Sequence, residues 1–281
     1  MTADILALDF DGVICDSAGE CLFSAHAALM LAKDERTAAG LEDIPLEWRE
    51  RFYQMRPFIR DGKDYLMILY FLDKEVPIVS QDDFDRESHE RRDEVCKLTG
   101  VADEAGIEDY FQTTRREVRA KDEAAWLDLN PLYPQMLEGF AARQGNFDSV
   151  FVTTSKPSDA ALRILRHNRV DIPESQVFGN DRVKKTVAKN GHMVKVSEVT
   201  GTPLVRIHFL DDQVSHLKPA MELGVQCYLA VWGYNTAEQK QQSREIGATS
   251  TPCRKPSRRS SMIEIVEKMA VNIRIIIMMP G

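Results

Sequence analysis

The chain has 281 residues, 43% of them hydrophobic and 28% charged, enough to bury a sizeable core in one large or two modest domains. Its 15 Gly and 12 Pro are too few for a collagenous or low-complexity chain, and a net charge of -8 opposes generic binding to nucleic-acid phosphates. The five cysteines, Cys15, Cys21, Cys96, Cys227 and Cys253, are scattered and form no Cys-x-x-Cys pair, which argues for a reducing compartment and against a disulfide framework or a structural zinc site. Met1 leads directly into a strand-like segment without the features of a secretion signal or transit peptide, so a cytoplasmic location is expected. No apolar run approaches the roughly 20 residues that a membrane-spanning helix needs, and no internal repeat is present, so neither a membrane nor a nucleic-acid partner is expected.

Ile5-Leu6-Ala7-Leu8 is a continuous apolar run that stops at Asp9-Phe10-Asp11-Gly12, the pattern of a buried strand ending in a polar loop. A helix follows from about Cys21 to Lys33, with Ser17 and Glu20 spaced as a capping box. From about Glu20 to Phe147 the texture is helical: long charged stretches, Tyr65, Leu66, Leu69 and Leu72 at helical spacing, and Pro57, Pro77, Pro131 and Pro134 as breakers. This reads as a helical insertion that caps the site.

Three further strands end in polar residues: Val150 to Val152 before Thr153-Thr154-Ser155, Ile207 to Leu210 before Asp211-Asp212, and Cys227 to Val231 before Trp232-Gly233-Tyr234. Helical patterns separate them, from Ser158 to His167 and from Val214 to Leu223, the latter closed by Gly224. Strand alternating with helix implies a parallel sheet, in which ligands bind at the carboxyl ends of the strands. The expected fold is therefore α/β, a Rossmann-like parallel sheet from residues 1–19 and 148–247 with an α-helical cap over 20–147. Residues 248–281 read as a tail with a basic cluster, Arg254, Lys255, Arg258 and Arg259, and an apolar end that can equally add an edge strand or stay a poorly ordered, aggregation-prone terminus.

This topology gathers Asp9, Asp11, Thr154, Asp211 and Asp212 on one rim. Two carboxylates two residues apart suit a nucleophile, Asp9, and a general acid then base, Asp11, although Asp-x-Asp also occurs in Mg²⁺ or Ca²⁺ loops and plain turns. A phosphoryl site needs anionic metal ligands, donors for phosphate oxygens and a cation to offset developing charge. Asp9, Asp11, Asp211 and Asp212 are the candidate ligands for Mg²⁺, with Asp211 and Asp212 free to divide between direct and water-held roles. Thr154 and Ser155 can donate to phosphate, and Lys184 or Lys185 can neutralise it; a helix directs only one of two neighbours to the rim, and Lys185 is preferred. Arg56, ahead of Pro57 at a bend, is the cap residue chosen for substrate contact. His26, His208 and His216 read as structural, and Cys15 as a buried small hydrophobe.

Leu8-Asp9-Phe10-Asp11-Gly12-Val13, with Asp16-Ser17, resembles motif I of the haloacid dehalogenase (HAD) superfamily. Val152-Thr153-Thr154-Ser155-Lys156 resembles motif II, the Lys184-Lys185 segment motif III, Phe209-Leu210-Asp211-Asp212 motif IV, and Val231-Trp232-Gly233-Tyr234 the loop after the final core strand in phosphoglycolate-phosphatase-like members. Tyr53 to Pro57 and Trp126 to Pro134 look like segments of HAD-like hydrolases of photosynthetic organisms. The resemblance implies a Mg²⁺-dependent phosphatase acting on a small phosphate ester, with Asp9 attacking phosphorus and Asp11 activating water. It leaves as alternatives a dehalogenase, a phosphomutase, or an inactive metabolite-binding protein. Dehalogenases of the superfamily usually lack the second carboxylate, so Asp11 favours phosphate-ester hydrolysis.

Overall fold

A computed structural model describes residues 4–143, 148–183 and 189–247. The chain divides into two compact units, Met1–Asp16 with Leu132–Gly281, and Ser17–Pro131. The first unit is built on a five-stranded sheet of β1 (Ile5–Leu8), β2 (Val150–Thr153), β3 (Val177–Phe178), β4 (Ile207–Asp211) and β5 (Gln226–Leu229). The strand order is β3-β2-β1-β4-β5, and every pair is parallel. The expected α/β architecture is therefore present. The two-residue β3 was not foreseen, because so short a segment carries no periodicity.

Residues 5 to 8 and 150 to 153 are buried on both faces, as expected of parallel strands covered by helices. Helices α8 (Ser158–His167), α9 (Asn190–Thr200), α10 (Val214–Glu222) and α11 (Ala237–Glu245) belong to this unit. On one face Ala7, Phe151, Ile207 and Phe209 form a core with Met193 and Val196 of α9 and Leu217 and Ala220 of α10. Gly224 follows α10 with φ of 87°, a conformation that glycine adopts without a Cβ penalty.

The second unit contains α1 (Ala18–Ala32), α2 (Leu46–Met55), α3 (Gly62–Asp73), α4 (Gln81–Thr99), α5 (Glu104–Lys121) and α6 (Glu123–Asp128). Here α3 is buried almost throughout, from Asp64 to Leu72, and packs with α1 and α5. The Tyr65 ring stacks on Phe111 at 5.4 Å and Phe52 at 6.2 Å. The expected capping box of α1 does not form: Ser17 makes no side-chain cap bond. Glu20 instead accepts hydrogen bonds from Ser24 Oγ at 2.9 Å and from both Nε and Nη2 of Arg115. A buried carboxylate is held better by a guanidinium fork than by one backbone N–H.

The division between units falls at 16/17 and 131/132, compared with the sequence expectation of 19/20 and 147/148. The returning segment is tied down early. Leu132 bridges to Cys15, and the Tyr133 N–H donates to the Ile14 carbonyl at 3.0 Å, so α7 (Pro134–Ala142) belongs with the sheet. Pro134 begins that helix, where its missing N–H costs nothing. The basic cluster Arg254 to Arg259 and the apolar stretch Ile273 to Met279 lie outside the described residues. Among the described residues no helix is long and apolar enough to cross a membrane.

Candidate active site

Sheet register brings two of the expected acids together. Leu8 pairs with Leu210, and the Asp9 N–H extends the ladder to the Leu210 carbonyl at 2.9 Å. Asp9 and Asp211 thus become neighbours at the carboxyl ends of adjacent central strands, the place where open parallel sheets bind ligands. Carboxylate oxygens of Asp9, Asp211 and Asp212 lie within 4.8 Å of one another, and all three residues are buried.

Such crowding of like charges away from water is costly, and the titration of the acids reflects it. Burial pushes the Asp9 carboxyl up to about 6; Lys189 pulls against the rise and the Asp211 charge adds to it. Burial also acts to raise Asp211, but His216, Lys189 and the Gln213 N–H outweigh it and hold that carboxyl below its ordinary value. Three hard anionic oxygens in a dry pocket are a donor set that fits Mg²⁺. The fourth expected ligand is not a member of this group; Asp11 Oδ1 is 3.1 Å from Lys156 Nζ, whose side chain is only 1% exposed.

Thr154 is buried where β2 ends, its N–H donating to the Phe178 carbonyl at 2.9 Å. Its Oγ1 accepts the Lys156 N–H at 3.0 Å, which leaves the hydroxyl proton for another acceptor. Ser155 is exposed on the same loop. Lys184 and Lys185 lie outside the described residues. Among the described residues, Lys189 reaches Asp9: its Nζ donates to Asp9 Oδ1 at 2.7 Å and to the Thr153 carbonyl at 2.9 Å.

The sequence alone assigns no site role to Lys189 or His216, and Lys156 stands in it only as the end of the segment that resembles motif II. Lys189 stands directly before the helical run of α9, a position that could have singled it out, but the adjacent pair upstream was more conspicuous. His216 was read as one more helical histidine. Its Nδ1 lies 3.0 Å from Asp211 Oδ2 and 3.2 Å from Oδ1.

The loops around the acids leave little room. Gly12 has φ of 84°, and a Cβ there would collide with the Asp212 carboxylate. Tyr234 donates its N–H to Asp212 Oδ2 at 2.7 Å and its hydroxyl to Asp16 Oδ1 at 2.6 Å. Trp232 Nε1 donates to the Val13 carbonyl at 3.1 Å. The loop after β5 therefore seats Asp212 against the loop after β1. Arg56 is enclosed in the helical unit, 3% exposed, with its guanidinium 5.2 Å from the centre of the Tyr65 ring.

No protein-family model matches the sequence, and no curated protein matches it. Solved structures do. A predicted phosphoglycolate phosphatase of Haemophilus somnus superposes with a TM-score of 0.56 at 15% identity, covering 87% of this chain and 92% of its own. A predicted phosphatase of Clostridium acetobutylicum gives a TM-score of 0.52 at 14% identity, with 96% and 100% covered. A haloacid dehalogenase-like family hydrolase of Streptococcus pneumoniae gives 0.51 at 12% identity, with 85% and 90% covered. The chain shares the fold of these three proteins. All three are bacterial, and the expected likeness of Tyr53 to Pro57 and Trp126 to Pro134 to proteins of photosynthetic organisms gains no support from them.

Proposed function

We propose that this chain is a Mg²⁺-dependent phosphatase that hydrolyses a small organic phosphate monoester through an aspartyl-phosphate formed on Asp9. The observation that carries the reading is the meeting of Asp9 with Asp211 and Asp212 in one buried group beside Lys189. The fold shared with the phosphatases named above supports it.

Asp9, Asp211 and Asp212 are the residues that would hold the metal, and when bound Mg²⁺ supplies charge neutralisation for the acids and for a phosphoryl oxygen. Lys189 holds the Asp9 carboxylate in one orientation. An Asp9 oxygen attacks phosphorus, the bond from phosphorus to the alcohol oxygen breaks, and the departing oxygen takes a proton from Asp11. Thr154 donates its hydroxyl to a phosphoryl oxygen in both steps. Water then gives a proton to Asp11 and attacks phosphorus, which breaks the bond to Asp9 and releases inorganic phosphate. Lys156 holds Asp11 at the edge of the pocket, where its side chain keeps 21% exposure and can exchange protons with solvent.

The test is phosphate release from a panel of small phosphate monoesters with Mg²⁺, comparing the parent with Asp9→Asn and with chelated samples. Turnover by the parent and its loss in both other arms are expected. Turnover that survives Asp9→Asn removes Asp9 from the nucleophile role, and a parent inert on the whole panel favours a metabolite-binding protein.

A further inference from the structure

Asp211 is the most enclosed of the acids, with no exposed surface, and its oxygens are already engaged. Oδ1 accepts the Gln213 N–H at 2.8 Å, and the Nδ1 of His216 stands at 3.2 Å from Oδ1 and 3.0 Å from Oδ2. The imidazole comes from the first turn of α10, and the His216 N–H donates to the Gln213 carbonyl at 3.0 Å. One short turn thus supplies both the backbone donor and the ring donor that fix the carboxylate plane. An Nδ1–H placed between two carboxylate oxygens restricts rotation of that carboxylate about its Cβ–Cγ bond. The carboxylate so held has an oxygen within 4.8 Å of ligand oxygens of Asp9 and Asp212.

We propose that His216 is the positioning residue of the metal site: it touches neither substrate nor metal, but by orienting Asp211 it sets the affinity of the three-acid group for a divalent cation. The inference rests on the metal reading given above. Groups that hold a ligand carboxylate typically change metal affinity by about 10–100-fold when removed. A helical histidine of purely structural value would leave that affinity alone.

Two variants separate the donor from the ring. His216→Phe keeps a ring of similar volume without the N–H, and His216→Asn returns an N–H close to the position of Nδ1. Binding of Mg²⁺ alone is measured by titration calorimetry on the full chain, with no substrate present, alongside Asp212→Asn as a variant of the acid group itself. The expected result is Mg²⁺ binding by the parent, a loss of about 10–100-fold in His216→Phe, and recovery of most of that loss in His216→Asn. If His216→Phe does not fold, His216→Ala takes its place. Affinity unchanged or increased without the donor overturns the proposal, as does an equal loss in both variants. A parent that takes up no Mg²⁺, or an Asp212→Asn variant that binds as the parent does, overturns the metal reading and this inference with it; binding in the parent with an unaffected His216→Phe overturns this inference alone.

Discussion

Lys189 Nζ sits 2.7 Å from Asp9 Oδ1 with both side chains nearly excluded from water, at 2% and 9% exposure. The ammonium also binds the Thr153 carbonyl, so it joins the ends of β1 and β2. In the proposed mechanism Asp9 is the nucleophile, and a buried carboxylate in that role needs its charge kept and its orientation fixed. Lys189→Met removes both services. Phosphate release should fall by about 10²–10³-fold, the usual cost of deleting one preorganised charge-stabilising group. Steady-state assays of the purified variant check this, with circular dichroism to establish folding, and a near-parental rate would be incompatible with the assigned role.

Gly12 provides a backbone test of the same pocket. An alanine there must adopt φ near 84° and displace the Asp212 carboxylate. The left-handed conformation alone costs roughly 1–2 kcal/mol. Gly12→Ala should therefore lower stability by at least about that much and weaken Mg²⁺ binding as Asp212 is pushed aside. Urea unfolding and a Mg²⁺ titration measure the two effects separately. The claim of a crowded pocket fails if both match the parent.

In the helical unit, Glu20 is completely buried and bonded by Arg115 through two nitrogens. Removing one partner of a buried pair leaves a charge in a poor solvent, at a cost of about 3–5 kcal/mol. Arg115→Met should lose about this much stability, and adding Glu20→Gln should recover most of it. A double-mutant cycle by chemical denaturation reads the coupling directly. Additive losses would mean that the two side chains do not depend on each other.

Asp64 links stability to pH. Burial raises its carboxyl to about 6, although the Arg60 and Asp61 N–H groups pull the other way. Those N–H groups donate to Oδ2 at 2.8 and 3.0 Å. A carboxyl that titrates higher in the folded protein than in the unfolded chain stabilises the fold at low pH, and the contribution is lost as pH rises from about 4 to about 6. Above that window the fold carries a buried charge. Asp64→Asn, whose amide oxygen can accept the same two bonds, should gain on the order of 1–3 kcal/mol at pH 7.5. The gain should shrink towards zero at pH 4, and melts at both pH values would expose a constant difference if the titration is not the cause.

Much of the sheet was legible because parallel strands buried on both faces must be written as unbroken apolar runs. Ile5 to Leu8 and Val150 to Val152 appear as such and form strands, and Ile207 to Leu210, interrupted only by the half-buried His208, forms another. The polar residues that end these runs are where buried strands stop, so the rim acids Asp9, Asp211 and Asp212 could be picked out before their neighbours were known. The capping box at Ser17 misled because a local pattern was read without the distant Arg115 that claims Glu20. Val177 and Phe178 form a strand only because Val152 and Thr153 lie beside them.

What the sequence determined by itself was four of the five strands and the chemical character of their ends, since hydrophobic period and turn residues are properties of neighbours along the chain. The tertiary structure alone decided which nitrogen group meets which acid: Lys189 with Asp9, Lys156 with Asp11 and His216 with Asp211. The two lysine pairings depend on strand register and helix placement acting across long separations. A long flexible side chain carries no periodic mark of the direction in which it will be buried.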